Sequence, residues 1–570
     1  MRRALLAPLL IVLTAAAAAP AAPPADAVQG ALVSELTREM AKLRMPGYEA
    51  PYFVSYQLTD HDDVDLVARH GALHGNQRTH TRQAYVEVRV GDYKFDNTAD
   101  EQLTSSGDAA GDAVYEPGTD MAIDDDAGAL RGQLWLLTDT RYKQALASLN
   151  LKRGQRATSM VEDADLPSFA RARPAVHTDA PAKVEVDRDR WAGELRAAST
   201  AFTRHPQVFD DAVSLSVQHE RRWLVNSEGT RLYTERTIWG LTVECHVRAA
   251  DGAVIEHTQA WYGAGEAELP AGKVLLAHIE RLAGEAEALR LAPIIDPYTG
   301  PAILLEDATG VLFHEVIGHR LEGERLADDE EGHTFKGQQG TRVIPAFLDV
   351  LDDPTQRAQG GHALNGHYDF DDEGVPSESV TLIDRGVLRA FLTSRRPVSG
   401  QVRSNGHGRA EGAYDPMARM GVTIVRSHQQ VPMKKLEEML LAEARKQGKP
   451  YGLVIVDVTG GDTNTGADGY QAFRGSPQLV YRVDARTGAR TLVRGVEMVG
   501  TPLSSINKII ATSDTVGVFN GYCGAESGFV PVSVLAPAVL MSEIELQRSQ
   551  KTRQKPLILP PPWAPAKGAR

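Results

Sequence analysis

The chain has 570 residues, 42% of them hydrophobic, and 61 Lys and Arg against 75 Asp and Glu, for a formal net charge of −14. That length exceeds what one core usually holds, so two or more domains are expected. An acidic balance with no basic stripe argues against a nucleic-acid partner, and no stretch beyond the N-terminus approaches the ~20 apolar residues of a membrane helix.

In chain order, Arg2-Arg3 precedes an apolar run over residues 4–19. Ala- and Pro-rich sequence follows, with small-x-small cleavage options up to Ala25-Asp26-Ala27. This is the order of a secretory signal peptide, assigned to residues 1–27, and it implies a periplasmic or secreted protein. Residues 32–43 read as a helix, and residues 53–56 and 84–90 as strands. Residues 99–126 are acidic and Gly-rich, a solvated loop in which Asp124-Asp125-Asp126 is a charge run. Helices are expected over 134–151, 191–204 and 273–291. Two hairpins turn at Asn226-Ser227-Glu228-Gly229 and Ala250-Asp251-Gly252. After Pro297 the chain changes to short strands, hairpin turns and many Gly. From residue 549 a Pro-rich segment reads as a disordered tail. The organisation is α+β: a mixed α/β N-terminal domain over 28–298, then a β-rich catalytic domain over 299–548 carrying a metal-binding helix.

The most constraining segment is His314-Glu315-Val316-Ile317-Gly318-His319. Two imidazoles and a carboxylate within six residues suit a catalytic zinc site, which needs neutral nitrogen ligands and a base for water. The spacing H-E-x-x-x-H is one residue longer than the common zinc helix H-E-x-x-H. On a regular helix, positions i and i+5 diverge by about 140°, too far to share one ion. A single wide π-type turn restores a common face, and Gly318 would ease that distortion. The competing reading is a chance pairing in a chain with 17 His. Context favours function. Ala302-Ile303-Leu304-Leu305 reads as a buried strand feeding an apolar helix, with Asp307 or Thr309 as its cap and Gly323 at its end.

His314 to Glu324 (HEVIGHRLEGE) is similar to the signature of the TldD/PmbA family of metallopeptidases, in its catalytic TldD-type branch. Gly521-Tyr522-Cys523-Gly524-Ala525-Glu526-Ser527-Gly528-Phe529-Val530-Pro531-Val532 resembles that family's C-terminal segment, and Asp371-Asp372-Glu373-Gly374-Val375-Pro376 its central hairpin. Gly460-Gly461-Asp462 and Arg494-Gly495-Val496 fall in the same order. The resemblance spans roughly residues 30 to 548 and is strongest after Gly300. It implies a zinc ion held by His314, His319 and Cys523, with Glu315 as general base. It also implies short or unfolded peptides as substrates and a site enclosed in a dimer. A homodimer is the favoured form, and a heteromer with a motif-lacking paralogue is the other arrangement the family uses. The leader departs from cytosolic relatives. From the residues alone Cys523 has two further readings, a disulfide to Cys245 or a buried inert thiol.

Glu322, one turn past His319, is a candidate to orient a ligand imidazole. Arg403, His407 and Arg409 resemble a segment lining the active cleft, where a cation or imidazole would steady an oxyanion. Asp462 and Thr463 are candidate substrate-facing residues, and His362 and His367 are loop residues with weaker claims to bind metal. The expected function is a zinc-dependent peptidase. The alternative is a non-enzymatic exported binding or assembly protein with a structural zinc, against which an intact Glu315 argues.

Overall fold

The computed structural model of the protein describes residues 26–99, 117–158, 160, 164–327, 331, 333–466, 472–549, 553–555 and 557–563. All but the last two residues of the expected leader, and most of the acidic segment at 100–116, lie outside the described residues. Helix α1 (Ala27–Lys42) starts on a side-chain cap. Asp26 Oδ1 accepts the N–H groups of Val28 and Gln29 at 2.9 and 3.2 Å, and its other oxygen accepts the Trp223 indole. Such a cap contributes about 1 kcal/mol. A leader ending at Ala27 would remove it.

The N-terminal sheet is built from β1 (Pro51–Arg69), β2 (Ala72–Val90), β3 (Val176–Thr178), β4 (Val208–Asn226), β5 (Arg231–Arg248) and β6 (Val254–Gly263). Its order is β2-β1-β4-β5-β3, with β6 also paired to β5. The β1–β2 turn places His70 and Gly71 at φ of 50° and 81°, the left-handed pair that matches the strand twist. Both strands run far beyond the apolar runs at 53–56 and 84–90. Alternation explains why. In β1 the even positions Val54, Tyr56 and Leu58 are buried under α1 and α2 (Ala127–Thr158). Val64, Leu66 and Ala68 are buried with α3 (Arg188–Phe202) and α4 (Gly272–Leu291). The opposite face is polar and turns toward the second half of the chain, where Arg222 pairs with Asp372 and Tyr522 donates its hydroxyl to Gln218.

Among the described residues the second sheet has twelve strands, beginning with β7 (Tyr298–Leu304). The long strand Gly528–Arg548 pairs antiparallel with β7 and with Val496–Gly500. From Val496–Gly500 the pairing continues through Phe473–Asp484 and Tyr451–Thr463 back to β7, which closes a ring of five strands. Helix α5 (Glu306–Phe313) follows β7 directly. It buries Ala308, Val311, Leu312 and Phe313 in the core shared with Leu453, Ile455, Met498 and Met541 of the ring. No side chain caps α5; Thr309 instead donates its hydroxyl to Leu304 O at 3.1 Å. Of the Pro-rich tail, residues 549, 553–555 and 557–563 are described. Arg553 bridges Ala253, Gln554 N–H reaches Gly252 O at 2.9 Å, and the Trp563 ring lies 5.2 Å from that of His70. The pairing supplies backbone partners that a free tail would find only in water.

Arg395 joins the two halves. It is 1% exposed, stacks on Phe169 and Phe53 at 4.0 and 4.8 Å, donates to Ala170 O at 2.9 Å and pairs with Glu228 at 2.8 Å. Arg395→Met should lower unfolding stability by about 3 kcal/mol, because it strips the partner from a largely buried carboxylate. Denaturant unfolding of the variant beside the parent checks this.

Candidate metal centre

The chain leaves α5 through a π-helical turn over His314–Gly318. His319 N–H bonds to His314 O, five residues back. This is the wide turn the H-E-x-x-x-H spacing requires. Gly318 has ordinary helical angles, φ −54° and ψ −63°, so backbone freedom is not why it is glycine. A Cβ there would fall 2.0 Å from Met420 Sδ. The turn packs directly on Met420, and only hydrogen fits.

The turn brings both imidazoles to Cys523, which projects from strand Ile509–Ala525 opposite Val530. Cys523 Sγ lies 3.1 Å from His314 Nε2 and 3.4 Å from His319 Nε2. The three ligand atoms all lie within 4.8 Å of one another and all three residues are buried. Both cysteines are free thiols, so the disulfide alternative is not what forms; Cys245 is sealed in the N-terminal core.

The donor set fits zinc. His319 Nδ1 lies 3.3 Å from Glu322 Oε2, so its Nε2 lone pair is aimed at the shared point. Glu322 is fully buried. Burial works to raise its pKa, but His319 and Arg325 outweigh this and hold it near about 2. Burial likewise works to raise the Cys523 thiol, and the two imidazoles overcome it and hold the thiol well below its usual value. His314 Nδ1 is buried without a partner. A mutually facing thiolate and imidazole pair is a charge arrangement that a divalent cation would neutralise. Glu315 adjoins the cluster. Burial raises its pKa, opposed by His314 and His319. Its side chain rests on Gly461, where a Cβ would come within 2.4 Å of Glu315 Cγ.

A family model, the PmbA/TldA metallopeptidase C-terminal domain, matches residues 297–548. The chain is 30% identical over 254 residues to a metalloprotease of Archaeoglobus fulgidus, covering 44% of this chain and 54% of that one. It is 24% identical over 253 residues to a zinc metalloprotease TldD homolog of Saccharolobus solfataricus, covering 43% and 51%. The matched part is thus about half the length of each relative. The crystal structure of TldE from Thermococcus kodakarensis superposes with a TM-score of 0.57 at 13% identity, over 87% of this chain and 97% of that one. Residues 297–548 are thus similar to the C-terminal domain of the PmbA/TldA metallopeptidases. The chain's α+β fold is that of this TldE structure.

The remaining candidates divide. Glu322 joins the centre through His319. His407 does not: it is wholly buried, with Nε2 3.2 Å from Asp352 and Nδ1 3.0 Å from Asn405 O. Arg409 donates to Met420 O and lies over Tyr368 at 4.7 Å. Arg403 pairs with Glu378 at the surface. His367 bonds to Pro354 O, and His362 sits in a two-residue strand. Asp462 is exposed, while Thr463 accepts from Arg320, which also donates to Glu315 O at 2.7 Å.

Sequence reasoning missed Arg419 and Arg325. Arg419 is fully buried, donates to Cys523 O and to Ser527 and lies 3.5 Å from Glu322. Arg325 joins Glu322 to Glu526 and Glu331. Arg419 has no local spacing signal, because its partners come from distant segments; Arg325 stands three residues from Glu322, but its Glu526 partner is 201 residues away.

Gly318→Ala should cost about 1–3 kcal/mol by overpacking against Met420 and should weaken zinc retention. Thermal unfolding with metal analysis of the dialysed variant measures both.

Proposed function

We propose that the protein is a zinc-dependent peptidase acting on short or unfolded peptides, with His314, His319 and Cys523 as ligands and Glu315 as general base. One observation carries the reading: two imidazole nitrogens and a thiol converge on one point with a carboxylate beside them. The metalloprotease names of the relatives point the same way. The chemistry supplied by zinc when bound is Lewis acidity, which acidifies water and polarises a peptide carbonyl.

The chain's own residues supply the rest. Glu322 orients His319 and fixes its tautomer. Arg419 holds the Cys523 carbonyl, so the thiol keeps its place. Glu315 lies outside the ligand set, and burial raises its proton affinity, as suits a group that takes a proton from water and returns it to the leaving amine. Gly461 leaves no side chain between Glu315 and the exposed strand end at 459–462. A centre this buried suits an extended chain better than a folded surface. A homodimer and export to the periplasm or medium complete the proposal. Export rests on the basic, apolar, small-residue order at the start of the chain.

Glu315→Gln preserves shape and removes basicity. It should keep zinc and lose peptide hydrolysis by about 10³-fold, or roughly 4 kcal/mol of transition-state stabilisation. Cys523→Ala should lose the zinc itself. Metal analysis and a peptide-library cleavage assay on the same preparations separate the two, and near-parental turnover by Glu315→Gln would remove Glu315 as the base. Zinc binding by the parent with no cleavage across the library would favour a structural metal in a binding protein.

For export, the mature N-terminus should fall between Pro20 and Gln29, and a cut before Asp26 would preserve the Asp26 cap. N-terminal sequencing of the protein from a periplasmic or medium fraction checks this, and an intact Met1 in a cytosolic fraction would overturn it.

A further inference from the structure

Between the polar face of the N-terminal sheet and the hairpin that carries Cys523 lies a cavity of about 400 Å³. That volume suits a small molecule or one end of a peptide. Arg409 is 3% exposed and lines this cavity. Its hydrogen bonding to protein is one donation, to Met420 O, and its guanidinium covers the Tyr368 ring. Its other N–H groups have no protein partner among the described residues and are not sealed off from solvent. A buried guanidinium with free donors is costly unless something accepts from them.

Most of the acids around it are already engaged. Glu220 takes Arg222 and Arg236. Asp372 takes Arg222 and the Ala410 N–H. Asp371 accepts the N–H groups of Glu373, Val375 and Gly408, and Glu411 accepts that of Phe529. Asp352, behind Arg409, accepts from Gly421, Val422 and Thr423 and faces His407. Asp63, on the sheet side, keeps one oxygen buried without a hydrogen-bond partner. None accepts a hydrogen bond from Arg409. Burial pulls the Arg409 pKa down to about 10, the mark of a cation short of counter-charge. Apolar surface completes the cavity: Tyr522, Phe529 and Pro531 on the hairpin and Ile238 on the sheet. Phe529 is 63% exposed and Tyr522 38%.

We propose that this cavity is a carboxylate-binding subsite, with Arg409 taking the carboxylate and the aromatic hairpin wall taking an apolar body attached to it. A planar fork of N–H donors matches a carboxylate. The carboxylate comes from either a peptide C-terminus or a free organic acid. The proposal stands independently of whether the metal centre hydrolyses peptides.

The test uses the full, metal-loaded protein with N-acetyl-phenylalanine, its carboxamide, and 3-phenylpropionate, measured by calorimetry. The expected result is a carboxylate bound at least about ten-fold tighter than the carboxamide, with the difference abolished in Arg409→Met. Binding of N-acetyl-phenylalanine alone assigns a peptide end; equal binding of 3-phenylpropionate assigns a free acid. Carboxylate affinity that survives in a folded Arg409→Met protein places the ligand on the metal and overturns the proposal, as does parity between carboxylate and carboxamide or no binding. A second measurement needs no variant. In the parent, N-acetyl-phenylalanine or 3-phenylpropionate should slow phenylglyoxal modification of Arg409, read by peptide mass mapping, and an unchanged rate for both counts against the site.

Discussion

The centre depends on one backbone hydrogen bond, from His319 N–H to His314 O. In a regular helix the two imidazoles would point about 140° apart and could not share a ligand. Widening one turn swings His319 onto the side of His314, and the rings meet edge to face with centroids 5.0 Å apart. A wide turn is a poor local choice for a chain, so the surroundings must enforce it. They do so by packing: Met420 fills the space a side chain at 318 would need, and Val316 and Ile317 are wholly buried in the main core.

Charge holds the second half of the centre in place. Cys523 is 209 residues from His314, and its hairpin is tied down by cations from two other segments. Arg419 grips the hairpin backbone at Cys523 and Gly528, and Arg325 grips Glu526 near its tip. Both converge on Glu322, which faces His319. One buried carboxylate therefore serves the imidazole and both arginines. Buried charges are stable only when each is paired and hydrogen-bonded, so the network ties ligand placement to the fold of the second half of the chain.

The Cys523 hairpin works on both faces. Alternation along its strands sends Cys523 inward to the metal centre and Tyr522 outward to the cavity beneath the N-terminal sheet. Met420 links the same two regions, its side chain on Gly318 and its carbonyl on Arg409. The polar face of the N-terminal sheet is thus not a solvent surface but one wall of a chamber.

Some of this was legible without coordinates. The spacing of His314 and His319 dictated a wide turn, because helix geometry permits only that one solution for a shared ion. Periodic apolar residues placed α1, α3 and α4 to within a few residues, since an amphipathic helix writes its buried face locally. Cys523 entered through a family resemblance; nothing in its neighbourhood names its partners. The full length of β1 and β2 was invisible, because one face is polar and its partners lie in another domain. His407 and Arg409, two residues apart, read as one cleft-lining segment. Tertiary structure separated them, giving His407 to Asp352 and leaving Arg409 free-handed in the cavity. Local pattern records which way a backbone repeats. Which charge a side chain meets, and whether that meeting is sealed from water, is decided only when distant segments close on one another.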